Sequence, residues 1–449
     1  MKKKLSRVLI AGTNSGCGKT TMVCALLQAL VNRGEAVASF KCGPDYIDPM
    51  FHSSIIGARS RNLDLFMLGG DTARYLLLRN GENCRVSVVE GVMGFYDGVG
   101  MTTEASSYAL AKATETPVIL VVNASGAAHS VLATISGYAG LYPDSGVAGV
   151  ILNGCSGMLY PRLKELILAH FHGAIRPLGY MPKMPDCALE SRHLGLVTAQ
   201  EVTDLRGKLQ RMAEQAEKSL DIPGILALAD EAVPLEYEPP RLPGKGERVR
   251  VAVARDAAFC FYYEDSLQLL EELGAELVPF SPLADRDLPE NIQGLYLGGG
   301  YPELYAKPLS ENSSMLRAIR AYLEAGRPCV AECGGFLYLH EELEGYAQVG
   351  YLKGRAVNRG KLVRFGYTTM TAKEDNLLCR KGETLRAHEF HYYDVDDPGS
   401  AFVAEKSSGA KWDCGVCSGT LYAGFPHFHM YSHPQMAANF LEACRKELI

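Results

Sequence analysis

The stretch Val8-Leu-Ile-Ala-Gly-Thr-Asn-Ser-Gly-Cys-Gly-Lys-Thr-Thr21 constrains this chain most, because an apolar strand runs straight into a glycine-rich turn and a helix. A joint of that kind needs a parallel sheet, since the helix must carry the chain back before the next strand can begin. The helix N-terminus then points at the carboxyl edge of the sheet, where its free N–H groups hold a polyphosphate. Thr13 stands where the first glycine of GxxxxGK[ST] belongs, with Gly12 one position earlier. The cradle survives this change. The loop residues Thr13, Asn14, Gly16, Cys17 and Gly18 line the ATP phosphates, Lys19 reaches the outer ones, and Thr20, followed by Thr21, presents a hydroxyl to Mg2+.

Residues 1–235 keep the rhythm of this first unit. Strands are expected over 7–11, 36–41, 85–90, 117–122 and 147–152, and Val23, Leu26, Leu27, Leu30 and Val31 recur at helical spacing until Gly34. Acids fall at the expected strand ends, in Lys41-Cys-Gly-Pro-Asp45-Tyr-Ile-Asp48-Pro and Glu90-Gly-Val-Met-Gly-Phe-Tyr-Asp97-Gly. Phosphoryl transfer to a carboxylate needs hard oxygen ligands for Mg2+, which suits Asp48 and Glu90, while Asp45, Tyr46 and Asp97 are placed to orient the acceptor. Asn123 and Asn153 close the next two strands, where an amide offers both a donor and an acceptor to an adenine edge. Arg192 and His193, in Ser191-Arg-His-Leu-Gly-Leu196, are substrate or phosphate contacts or part of a solvated loop.

Residues 236–248 are rich in Pro, Gly and charge and read as a linker to a second α/β domain over 249–449. There the segment Pro328-Cys-Val-Ala-Glu-Cys-Gly-Gly335 ends a strand abruptly on Cys333. A sharp strand-to-helix turn exposes the sulfur as a nucleophile, and the helix N-terminus favours a thiolate. The Gly334 N–H, with a donor from Gly299 or Gly300 in Leu297-Gly-Gly-Gly300-Tyr-Pro-Glu303, forms an expected oxyanion site. His427, His429 and His433 downstream are the candidate bases. Cys414-Gly-Val-Cys417 lacks the second pair that a zinc site requires, and His388-Glu-Phe-His391 lacks HExxH spacing and reads as a loop near the active site.

A net charge of -6, with no Lys/Arg stripe interleaved with aromatics, argues against nucleic acid as a partner. No run approaches the roughly 18 apolar residues of a membrane span. The odd count of 13 scattered cysteines fits reduced thiols, and the chain reads as cytoplasmic.

These motifs, in this order, resemble the cobyrinate a,c-diamide synthase family, in which an ATP-dependent domain similar to dethiobiotin synthetase is fused to a class I glutamine amidotransferase domain. The resemblance implies an α/β fold in two domains: an N-terminal P-loop parallel-sheet domain, then the amidotransferase. It further implies that ammonia released from glutamine at Cys333 displaces phosphate from acyl phosphates made with Mg-ATP, on the a and c carboxylates of a tetrapyrrole. Hydrogenobyrinate and nickel-sirohydrochlorin are alternative substrates, and a homodimer is a further expectation. By the family pattern His427 is the amidotransferase histidine, and His429 stands where class I triads carry a glutamate. From a different class, a partitioning-type ATPase switch would carry an extra lysine at the position of Asn14 and would not need Cys333.

Overall fold

The structure of the chain, a computed structural model, describes residues 1–187 and 205–447. They form two compact units, one over Met1–Pro240 and one from Arg241 onward. Arg192 and His193 lie outside the described residues.

In the first unit, strand β1 (Arg7–Gly12) feeds helix α1 (Lys19–Asn32), followed by β2 (Val37–Cys42), the short helix α2 (Ile47–Phe51) and β3 (Arg59–Leu63). Strands β4 (Val86–Glu90), β5 (Val118–Asn123), β6 (Val147–Asn153) and β7 (Arg176–Met181) complete a seven-stranded sheet in the order β3-β2-β4-β1-β5-β6-β7. Every pairing is parallel. Runs such as Val86-Ser-Val-Val-Glu90 are buried along their whole length, as strands covered on both faces must be. Val23, Leu26, Leu27 and Leu30 of α1 are fully buried, and they share one apolar core with Leu209, Met212 and Ala213 of helix α3 (Leu205–Ser219).

The sequence reading lacks both edge strands, β3 and β7. Arg59-Ser-Arg-Asn-Leu63 is polar because an edge strand needs less apolar cover, and β7 carries Pro177 and Gly179, which a central strand rarely tolerates.

The second unit is built on strands β8 (Val249–Ala254), β9 (Phe259–Phe261), β10 (Ala275–Phe280), β11 (Gly294–Leu297), β12 (Gly299–Gly300) and β13 (Cys329–Glu332), the last leading into helix α4 (Gly334–Tyr338). Beyond these lie β14 (Arg364–Ala372), β15 (Thr384–His391), β16 (Phe402–Glu405), β17 (Lys411–Cys414), β18 (Val416–Cys417), β19 (Leu421–Gly424) and β20 (His427–Phe428). The main sheet runs β10-β8-β11-β13-β19-β18, parallel except at its last pair. A second, antiparallel sheet runs β17-β16-β14-β15-β20. His388-Glu-Phe-His391 is the end of β15, which corrects the expectation of a loop: the cross-strand pairs to β14 and β20 hold it extended. Among the described residues no helix is long and apolar enough to cross a membrane.

Candidate functional sites in the two units

At the joint between β1 and α1, Gly16 and Gly18 have φ of 80° and 94°, values that suit glycine best. Helix α1 begins at Gly18 with no side-chain cap and no acid in its first turn, so its leading N–H groups are left for an anion. The Asn153 amide donates to the Cys17 carbonyl at 2.8 Å, and a Cβ on Gly18 would lie 2.0 Å from Asn153 Nδ2. Asn153 therefore braces the loop through the nitrogen expected to face adenine. Asn123 Oδ1 accepts from the Ser125 N–H at 3.0 Å. Across the loop the Tyr138 hydroxyl donates to the Thr13 carbonyl, and Asp97 Oδ2 accepts from the Gly94 N–H at 3.1 Å.

The ends of β2 and β4 bring the acids together around Lys41, a residue the sequence reading quotes in its motif without a role. Lys41 Nζ donates to Asp48, lies 2.9 Å from Glu90 Oε1, and is 3.9 Å from Asp45 Oδ2. The Thr20 hydroxyl donates to Glu90 Oε1 at 2.6 Å, which ties the phosphate loop to this cluster. Behind it His52, fully buried, bonds the Ser39 hydroxyl through Nδ1 at 2.9 Å and places Nε2 3.6 Å from Glu90 Oε2. No spacing in the sequence flags His52.

Burial works against the charge of Lys41, yet the surrounding carboxylates outweigh it and hold the amine well above its usual range. Burial also opposes ionisation of Asp48, but Lys41 and His52 reverse that and the carboxyl is lowered. Glu90 and Asp45 go the other way: burial, then the Asp48 charge, raises Glu90 and pushes Asp45 up to about 7. His52 is pushed down to about 4 by burial. One lysine thus serves three acids, and burial together with the Asp48 charge makes the other two resist ionisation.

Glu90 Oε2 is buried and accepts no hydrogen bond. Among the described residues no group of three or more His, Cys, Asp or Glu is arranged to hold a metal alone. Asp48, Glu90 and the Thr20 hydroxyl instead match the partial oxygen shell of Mg2+, which usually keeps water and phosphate as its other ligands.

In the second unit Cys333 has φ 46° and ψ -96°, a sparsely populated conformation for a side-chain-bearing residue, at the start of α4. Its N–H donates to the Gly424 carbonyl at 2.7 Å, and the Gly335 N–H donates to the Gly298 carbonyl at 3.0 Å, so the elbow is pinned between neighbouring strands. A Cβ on Gly335 would lie 2.2 Å from the Leu297 carbonyl oxygen, and one on Gly334 would lie 3.0 Å from the Gly300 nitrogen. That second approach brings together the backbone expected to form the oxyanion site. Gly299 must also be small, because its Cβ would fall 2.5 Å from His427 Cε1.

The His427 ring interacts electrostatically with the Cys333 side chain, and its Nδ1 lies 3.8 Å from Glu332 Oε2. Burial disfavours the imidazolium, but Cys333 and Glu332 together outweigh it and raise His427 to about 10. His429 is directed elsewhere. Its ring stacks on Tyr263 at 4.9 Å, Nδ1 accepts from the Tyr431 N–H at 3.3 Å, Nε2 makes no hydrogen bond, and burial pushes it down to about 3. His433 Nε2 faces Glu383 at 4.0 Å.

Comparison with known proteins agrees with this division. Residues 8–226 match the CobQ/CobB/MinD/ParA nucleotide binding domain, and residues 250–435 match the CobB/CobQ-like glutamine amidotransferase domain. The chain is 42% identical over 445 residues to the cobyrinate a,c-diamide synthase of Caldanaerobacter subterraneus subsp. tengcongensis, covering 97% of this chain and 98% of that one. It is 40% identical over 432 residues to the enzyme of the same name from Clostridium acetobutylicum, with 95% and 97% covered. Against that of Thermoplasma volcanium the identity is 39% over 450 residues, with 98% of each chain covered. With relatives of this similarity spanning nearly its whole length, the chain belongs to the cobyrinate a,c-diamide synthase family.

Proposed function

We propose that this protein amidates the a and c carboxylates of cobyrinate, using glutamine as the nitrogen source and ATP to activate each acid. The observation that carries the reading is Cys333 on a strained elbow with His427 beside it, in the same chain as a phosphate loop tied through Thr20 to Glu90. A nucleotide switch has no use for such a thiol, and Asn14 occupies the loop position where a partitioning-type ATPase would carry its extra lysine.

In this reading the Cys333 thiolate attacks the glutamine carboxamide carbon. The developing oxyanion is met by the Gly334 N–H and the backbone of Gly299 and Gly300, and the His427 proton leaves with the nitrogen as ammonia. Water, deprotonated by His427, then hydrolyses the thioester to glutamate and frees the sulfur. In the first unit the loop from Thr13 to Thr21 holds the triphosphate, with Lys19 on its outer phosphates. The substrate carboxylate attacks the terminal phosphorus, ADP leaves, and ammonia displaces phosphate from the acyl phosphate to give the amide. Thr20, Asp48 and Glu90 would hold Mg2+, which would supply charge neutralisation at the phosphates. Lys41, fixed by Asp48 and Glu90, adds a second positive charge there. Asp45, Tyr46 and Asp97 border this region and orient the acceptor.

The decisive experiment counts the amides formed. Cobyrinate, hydrogenobyrinate and nickel-sirohydrochlorin are each incubated with ATP, Mg2+ and side-chain-labelled glutamine, and the products are weighed by mass spectrometry. Two labelled nitrogens on cobyrinate are expected. Label in none of the three, with glutamine and ATP both consumed, refutes the proposal.

A further inference from the structure

The proposed glutaminase leaves one position unexplained. A histidine that relays protons to and from a thiol works best when an acid fixes its ring and stabilises its charged form. His429, at the position where class I triads carry a glutamate, cannot supply that acid. It is neutral, stacked on Tyr263, and bonded through Nδ1 to the Tyr431 backbone.

Glu332, the residue directly before the nucleophile, has the features His429 lacks. It is 2% exposed, and its Oε2 is 3.8 Å from His427 Nδ1. Its orientation is set by two donors, the Tyr296 hydroxyl to Oε2 at 3.2 Å and the Phe428 N–H to Oε1 at 3.4 Å. Phe428 follows His427 in β20, so the same carboxylate grips the strand that carries the ring. A nucleophile elbow makes this possible. Because β13 ends at Glu332 and the chain reverses at Cys333, adjacent residues face the same histidine, the carboxylate beside Nδ1 and the thiol next to it. The gap of 3.8 Å is of the kind that closes when substrate docks and charge develops on the ring.

We propose that Glu332 is the positioning acid for His427, so that the orienting carboxylate of this amidotransferase precedes its cysteine instead of following its histidine. The inference rests on the glutaminase reading given above. Around the pair, His427 faces Cys333 and Glu332 on one side and His388 of β15 on the other, while Tyr262, Tyr296 and Tyr422 surround Glu332. Glu332 is the carboxylate among these groups, so its removal takes away a charge that favours the protonated ring.

The test uses the full chain and reads glutamate release with its pH profile, together with the pH dependence of Cys333 alkylation by iodoacetamide. Glu332→Gln keeps the shape and the acceptor oxygen but removes the charge. It is expected to lower kcat for glutamine by about 10²-fold or more with a much smaller change in KM. The alkaline limb of the profile and the upper edge of the alkylation window should both move to lower pH, since an uncharged neighbour releases the His427 proton earlier. Glu332→Asp retains a carboxylate and should recover the position of the pH limb even where kcat stays low, which separates orientation by charge from packing. His429→Gln should cost less than Glu332→Gln and leave the limb where it is.

A Glu332→Gln enzyme that matches the wild type in kcat and pH profile overturns the inference, as does a limb that moves in His429→Gln but not in Glu332→Gln. A wild-type chain that releases no glutamate from glutamine refutes the underlying glutaminase reading instead.

Discussion

The two units use the same backbone device, a strand that stops dead and turns into a helix, and present different groups at it. At the first joint the reversing residue is Gly18, in a left-handed conformation at φ 94°, and the chemistry lies in main-chain N–H groups. At the second it is Cys333, at φ 46° with a side chain attached, and in the proposed reading the chemistry lies in that side chain. The difference teaches what a strained joint is for. A loop that binds an anion gains from losing its side chains, because bare backbone can approach the phosphates. A loop that attacks a carbonyl accepts the strain of a Cβ, because the strain lifts the sulfur clear of the strand.

The surroundings differ accordingly. The cluster tied to the first joint through Thr20 has an excess of acid, with Lys41 paired to Asp45, Asp48 and Glu90. Around Cys333 the acid and base are matched, one Glu332 to one His427.

The comparison breaks most sharply at the cysteine. Cys333→Ser should reduce glutamine-dependent amidation by at least about 10³-fold while amidation from added ammonia continues, measured as amide formed per unit time. Equal loss with both nitrogen sources would show that the second joint does more than make ammonia. Glu90→Gln tests the first joint from the other direction. Amidation from ammonia should fall by about 10²-fold with iodoacetamide labelling of Cys333 unaltered, and unchanged amidation would remove Glu90 from the metal site.

A subtler probe adds a Cβ where the first joint lacks one. Gly18→Ala combines an unfavourable φ with a clash against Asn153 and should weaken ATP binding about tenfold or more, read by calorimetry. Asn153→Ala in the same background removes the clash but not the strain. Partial recovery of ATP affinity in the double variant is expected, and full recovery would assign the whole effect to packing.

The smallest effect is on stability. His388 and His429 in the second unit are both pushed down to about 3 by burial. Below the unfolded value of about 6.5 the unfolded chain takes up protons that these rings refuse. Stability therefore falls as pH drops from that value toward 3, by about 1.4 kcal/mol per pH unit for each ring. Denaturant melts at pH 7 and pH 5 check the sign, and equal midpoints would show that one or both rings find a way to charge.

The first joint was readable because its signals are contiguous: Gly16, Gly18, Lys19 and Thr20 lie within a few residues of one another, between an apolar run and a helical repeat. The expected central strands fall within a residue or so of those observed, since runs buried on both faces carry a strong apolar signature. Edge strands β3 and β7 and the antiparallel sheet of the second unit were not readable. Their residues are polar, mixed or interrupted, and long-range pairing holds them extended more than local preference does. The site divides in the same way. Asp48, Glu90, Cys333 and His427 could be picked out from their positions at strand ends or beside glycines. Lys41 and His52 acquire their places only because β2 and β4 are neighbours in the sheet, although their strands are separated in sequence by β3.

What the sequence alone determined, then, is the presence of two α/β units and the phosphate loop, and it named Cys333 as the candidate nucleophile and three histidines as candidate bases. Periodicity and glycine placement are local properties, and a chain states them without folding. Only the tertiary structure decided which charged groups meet: that Lys41 balances three acids, that His429 turns toward Tyr263, and that Glu332 lies beside His427. Electrostatic partnership depends on distance and burial through space, and residues far apart in the chain acquire both only when strands take their order in the sheet.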